Sequence, residues 1–185
     1  MKLIDGKTVS MPDTRVSQVR FPQVRSQKPG LGFPLARLVA IVSLSAGAVL
    51  EWAMDACEGK NTGETALLWR LLPHLQRGNI VIADGYYAGY FMIAGLIARG
   101  ADIVMPQHHL RITDFRRGKQ LGVRDHVVTW VRPKQPDWME EATYATMPET
   151  LTMREVRAGG RTLITTLTDA RGTPKQALAE LYAMR

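Results

Sequence analysis

Apolar positions along the chain change period several times, and each change marks an expected element. Leu3–Ser10 mixes β-branched and polar residues around Asp5 and predicts a strand. From Asp13 to Pro34 the pattern dissolves into Pro, Gln, Arg and Gly, which predicts a long loop. Leu35–Leu44 and Ala48–Met54 are apolar runs joined around Ser45-Ala46-Gly47, the pattern of a buried hairpin. Ala66, Leu67, Leu71, Leu72 and Leu75 then form a helical stripe, with Asn61 as its expected cap and Glu64 as the capping-box partner. Asn79–Ala83 is short, wholly apolar and ends at Asp84, the signature of a buried strand. Tyr87, Phe91, Ile93, Leu96 and Ile97 predict a helix closed by Gly100, and Ala101–Met105 another buried strand.

Beyond Gln107 the texture becomes β-rich. Val127–Val131, Leu151–Val156 and Thr162–Leu167 read as strands, separated by Pro133, Pro136, Pro148 and the pair Gly159-Gly160. Thr173, Pro174 and Gln176 supply a cap, a first-turn proline and a capping-box partner for a terminal helix bearing Leu178, Leu181 and Tyr182. Strand, hairpin, helix, strand, helix, strand, β-rich segment and helix suggest an α/β fold, a mixed sheet flanked by helices. That order resembles a ribonuclease H-like core: residues 1–106 as its first part, 107–168 as a β-rich insertion and 169–185 as the start of the terminal core helix.

Charge and composition narrow the partners. The 185 residues hold 24 Lys and Arg against 17 Asp and Glu, and the resulting +7 favours a polyanion such as nucleic acid as readily as it describes an ordinary basic surface. Cys57 is the only cysteine, which excludes an internal disulfide and a cysteine-rich zinc site. The longest apolar run, Leu38–Leu50, is interrupted by Ser43, Ser45 and Gly47 and is too short to span a bilayer, so no membrane association is expected. Residues 1–10 lack the pattern of a secretory leader, which favours a cytoplasmic protein. A candidate acid five positions from the start, and a final helix with no Gly or Pro stop, predict a C-terminally truncated fragment.

Two carboxylates stand where chemistry is placed in α/β folds. Asp84 ends an apolar strand and Asp5 interrupts a β-like run; together they offer hard oxygen ligands for Mg²⁺, with Mn²⁺ as a substitute, and hence for two-metal phosphodiester chemistry. Against this, Asp84 is a natural helix cap and Asp5 a natural edge or turn residue beside Gly6. Arg15, Arg20, Arg25 and Lys28 in the long loop, and Arg111, Arg116, Arg117, Lys119 and Arg124 around Phe115, could meet phosphates or simply be solvated. Gly6-Lys7-Thr8 lacks the upstream glycine of a phosphate loop, and Gly30 and Gly32 lack the third glycine of a dinucleotide fingerprint. His108 and His109, if on a strand, would point to opposite faces and chelate poorly.

Four segments in order carry a family resemblance: Leu3-Ile-Asp-Gly-Lys-Thr-Val-Ser-Met-Pro-Asp-Thr14, Gln27-Lys-Pro-Gly-Leu-Gly-Phe-Pro34, Ile82-Ala-Asp-Gly-Tyr86 and Glu180-Leu-Tyr-Ala-Met-Arg185. Together they resemble bacterial insertion-sequence transposases of the DDE class, of the insertion-sequence-four type, over nearly the whole chain. The resemblance implies a ribonuclease H-like domain in which two aspartates and a glutamate hold divalent metal ions. By it, Asp5 matches the first aspartate, with Asp13 as its rival, and Asp84 the second. Tyr182 and Arg185 match the tyrosine and arginine of the closing signature and are expected to contact DNA. The signature's glutamate would fall four residues past Arg185, and Glu180 does not stand at the matching position. Gly85 stands where many relatives carry arginine. The implied function is cutting and joining double-stranded DNA at element ends, with copies associating there and the protein nucleoid-bound in a bacterial cell. Lacking the third carboxylate, these residues are expected to be inactive alone. A non-catalytic DNA-binding remnant and an unrelated structural α/β protein are the alternatives.

Overall fold

Alternation places Ile4 fully inside and Asp5 outside on the first strand, β1 (Lys2–Ser10). The structure, a computed structural model, describes residues 1–28, 30 and 32–185. The chain divides into two compact units, one spanning Lys2–His74 and the other Leu75–Arg185.

In the first unit, the stretch expected as loop contains a helix, α1 (Arg15–Arg20). Thr14 caps it by accepting the Ser17 N–H at 3.1 Å. None of its residues is buried, so it leaves no apolar stripe in the sequence. β2 (Leu35–Ser43) and β3 (Ala48–Ala56) form the expected hairpin, turning at Gly47 with φ +60. β1 pairs antiparallel with β2, Asp5 lying opposite Ala40, and β2 pairs antiparallel with β3. The hairpin is not buried as expected: Val49, Leu50 and Trp52 of the outer strand β3 are largely exposed. β2, by contrast, buries Ala36, Val39, Ile41 and Ser43 along its length. α2 (Glu64–Leu71) packs Leu67, Leu68 and Leu71 against β2 and β3. Asn61 does not cap it. With φ +62, Asn61 turns the chain in the left-handed region that asparagine tolerates, and Gly63 opens the helix.

The second unit opens with β4 (Ile80–Ile82), followed by a 3₁₀ turn at Gly85–Tyr87, α3 (Tyr90–Ala98) and β5 (Asp102–Pro106). α3 buries every residue from Tyr90 to Leu96, because apolar side chains occupy its whole circumference. Gly100, at φ +72, returns the chain to β5, which pairs parallel with β4. There follow β6 (Lys119–Gly122), β7 (Asp125–Val131), α4 (Glu141–Thr146), β8 (Thr150–Ala158), β9 (Arg161–Thr165) and α5 (Lys175–Ala183). β9 pairs antiparallel with β5, and β8, β7 and β6 extend outward in turn. The strands of residues 107–168 therefore continue the sheet of β4 and β5, which is mixed in direction and flanked by helices. Neither β6 nor α4 was expected; β6 lacks alternation and α4 buries nothing. Among the described residues no helix is long and apolar enough to cross a membrane.

A buried cation organises this unit. Arg154 of β8 is wholly inaccessible, and its Nε and Nη2 donate to Asp125 of β7 at 2.8 and 2.6 Å. Its Nη1 donates to the carbonyls of Thr173, at 2.6 Å, and Leu167, at 3.4 Å. Thr173 thus anchors the start of α5 through its carbonyl rather than capping it through its hydroxyl. Pro174 stands at the cap position, and Gln176 reaches forward to Glu180 at 2.9 Å. Adjacent residues of a strand face opposite ways, so Glu155 builds a second cluster. It accepts from Trp130 at 2.8 Å and meets His126 Nε2 at 3.2 Å, while His126 Nδ1 lies 2.6 Å from the Arg117 carbonyl.

Removing one member of a buried pair strands the other in a dry site. Arg154→Met is expected to cost about 3–5 kcal/mol in urea unfolding, and the double variant Arg154→Met/Asp125→Leu distinctly less. Equal losses from the single and double variants would show that Asp125 is not Arg154's essential partner.

Candidate active site

Asp84 leaves β4 where the buried run Val81–Ala83 ends, at the C-terminal end of a parallel strand pair. Its backbone is extended, and its Oδ1 accepts the Tyr86 N–H at 2.8 Å, capping the 3₁₀ turn. The capping role anticipated for it is real, and it uses one oxygen. Oδ2 lies 3.3 Å from Arg185 Nη1, in an ion pair whose carboxylate is 48 % exposed. Asp84 borders an open cavity of about 490 Å³ lined by Tyr86, His109, Arg161, Tyr182 and Arg185 among others. β5 ends at the same rim: a Cβ built on Gly85 would come within 3.2 Å of the Pro106 carbonyl and 3.3 Å of that of Gln107.

α5 delivers the other half of the site. Tyr182 lies in the last turn of α5, and Arg185 lies just past its C-cap Met184, where its backbone N–H donates to the Tyr182 carbonyl at 3.2 Å. Tyr182 is only 9 % exposed, and its ring lies under the Arg161 guanidinium, 5.2 Å from centroid to carbon. Nothing in the sequence reading singled out Arg161. The one available signal was Gly159-Gly160, which fixes where β9 begins.

The remaining expected residues are placed as follows. Asp5 sits mid-strand in β1, in the first unit, and is exposed. Its rival Asp13 precedes the α1 cap and accepts from the Gln18 side chain at 2.8 Å. Arg15 opens α1 and is exposed, as is Lys28, whose carbonyl accepts from Gln23. The Arg25 side chain is 96 % exposed, 3.8 Å from Glu58. Pro29 and Leu31, part of the second resemblance segment, lie outside the described residues.

Arg116 and Arg117 both reach Asp114, at 2.8 and 3.4 Å. The Arg116 side-chain hydrogen bonds, helped by its backbone N–H, push the Asp114 carboxyl down to about 2. Phe115 packs beside the His126 ring at 5.0 Å, and Arg111 stacks 3.6 Å over Trp130. His108 and His109 are not on a strand. The chain turns after β5, and their rings stack at 4.3 Å. Among the described residues no group of three or more His, Cys, Asp or Glu side chains is arranged to hold a metal ion.

Guanidinium groups sharing an open cavity with a hard oxygen donor at parallel-strand ends suit the handling of phosphodiesters. Comparison with protein families agrees: the family described as the transposase DDE domain matches residues 2–185, and the chain belongs to it. Its mixed sheet flanked by helices is the ribonuclease H-like α/β class of these DNA-cleaving and DNA-joining enzymes. No curated protein matches the chain. DDE domains work with divalent metal ions, and Asp84 fits that use as a half-exposed hard-oxygen donor at an open cavity. It would supply one ligand, from the oxygen that Arg185 now engages.

The Asp114 contacts carry a pH signature. The folded carboxyl lies below its ordinary 3.8, so the pairs with Arg116 and Arg117 are complete above about 3.8 and are lost as pH falls through about 2. A carboxyl-carbon NMR titration should place the midpoint near 2; one near 3.8 would contradict the Arg116 contact.

Proposed function

We propose that the chain is catalytic-domain sequence of a bacterial insertion-sequence transposase of the insertion-sequence-four type, in which Asp5 and Asp84 are the first two metal-holding carboxylates. Mg²⁺ is the natural ion and Mn²⁺ its substitute. Duplex DNA is the substrate, copies of the protein associate on the element's ends, and the work is done in the cytoplasm on the nucleoid. When bound, the metal activates an attacking oxygen and neutralises the leaving one. Asp84 holds and orients that ion at the cavity, while Arg185 and Tyr182 position the DNA backbone beside it. Arg15, Arg25, Lys28, Arg116 and Arg117 add phosphate contacts.

One observation carries this reading. The second-aspartate segment and the closing tyrosine-arginine segment, far apart in sequence, meet in one cavity, with Asp84 and Arg185 3.3 Å apart. On this reading Asp5 and Asp84 are two of the family's three carboxylates. A second reading, DNA binding without catalysis, draws on the same contact, since Arg185 already neutralises the Asp84 oxygen a metal would need.

Mn²⁺ binding followed by electron paramagnetic resonance separates the two. Asp84→Ala and Asp5→Ala should each abolish binding with the fold retained by circular dichroism, and Arg185→Ala should tighten it up to about fivefold by releasing an exposed ion pair. If Asp84→Ala only lowers stability, by about 1 kcal/mol, and leaves Mn²⁺ binding unchanged, Asp84 is a cap and nothing more. In a plasmid strand-transfer assay with Mn²⁺ the chain should stay at background; robust transfer would show that two carboxylates suffice.

A further inference from the structure

Arg161 occupies a place that neither the closing signature nor the capping logic explains. β8 and β9 are joined by Gly159 and Gly160 alone, at φ +55 and +76, the left-handed pair of a tight two-residue hairpin turn. Such a turn has little freedom, so the first residue of β9 is presented at a fixed position. The Tyr182 ring then supports the Arg161 guanidinium from below. Stacking uses the flat face of the group and spares its N–H donors.

The side chain stands between two openings. One is the cavity of about 490 Å³ beside Asp84; the other, about 290 Å³, is lined by Ala158, Gly159, Leu163 and Ala183. Arg161, Tyr182 and Arg185 border both. The two arginines differ in charge balance. Arg185 is neutralised by Asp84, whereas among the described residues Arg161 has no carboxylate within ion-pair distance. A rigidly placed, uncompensated guanidinium at the wall of an open cavity is built to receive an anion with several acceptor oxygens.

We propose that Arg161 is a DNA-backbone contact of the active site: it grips a phosphate of the duplex beside Asp84, with Tyr182 as its platform. The proposal rests on the DNA-handling reading above. Arg161 fixes where the backbone passes, and Arg185 remains next to the carboxylate.

The test is fluorescence anisotropy of a labelled duplex with the whole chain, without metal, across a salt series. Arg161→Ala should weaken binding and reduce the slope of log affinity against log salt by about 0.9, the release of one phosphate contact. Arg161→Lys should retain the slope, because the charge remains, yet bind more weakly than the parent, because the planar stack is lost. Arg99→Ala removes an equal charge at the exposed end of α3 and should leave the slope unchanged. An Arg161→Ala slope equal to the parent's, or an equal drop in Arg99→Ala, overturns the proposal while leaving DNA binding standing. No duplex binding by the parent at low salt overturns the DNA reading and this proposal with it.

Discussion

The active-site half of the protein depends on how one buried guanidinium is satisfied. Arg154 has no access to water, and a lone cation there would be far too costly to hold. Two carboxylate oxygens of Asp125 and two backbone carbonyls accept its N–H groups, and the fixed fork of the guanidinium dictates the spacing of all three segments. One acceptor is the carbonyl of Thr173, immediately before Pro174 and α5. The position of Tyr182 and Arg185 is thereby tied to strands β7 and β8. On the opposite face of β8, Glu155 does comparable work for the basic segment: through His126 it reaches the Arg117 carbonyl, next to Arg116. Two adjacent residues of one strand thus hold two separate stretches of chain, one bearing the cavity's cations and one bearing the outer arginines.

The carboxylate at the end of β4 shows why a structural and a chemical role need not compete. Capping consumes a single oxygen of Asp84 and leaves the other to pair with Arg185, a fellow lining residue of the cavity. The backbone hydrogen bond to Tyr86 is then part of the preorganisation, since it fixes the rotamer that presents Oδ2 to Arg185. The arginines divide in a similar way. Those of Arg116 and Arg117 are committed to Asp114, Arg154 is a structural member, and Arg161 is supported by a ring without being neutralised.

Much of the fold was legible because burial writes a period into the sequence. β1, β2, β4, β5 and α3 lie where alternation or continuous apolar runs put them, each being packed on at least one face. The elements that escaped notice, α1, β6 and α4, bury no side chain at all and so leave no pattern. The Arg154 and Glu155 clusters escaped for the reverse reason: in a strand, a charged residue buried with its partner reads the same as one facing water. Asp84 was legible as the acid ending an apolar strand, and the roles of Tyr182 and Arg185 came through family likeness. That they meet is a tertiary fact, set by the return of α5 toward the end of β4, and Arg161 joins them only because β9 starts beside that helix.

The crowding around Gly85 has a bearing on redesign of the site. Any side chain there would press on the carbonyls of Pro106 and Gln107, which belong to a different strand end. A residue with a side chain after this aspartate would need those two carbonyls to draw back by a few tenths of an ångström. Residue 85 and the pair 106–107 are therefore sterically coupled, so that redesigning one without refitting the other would misshape the mouth of the pocket.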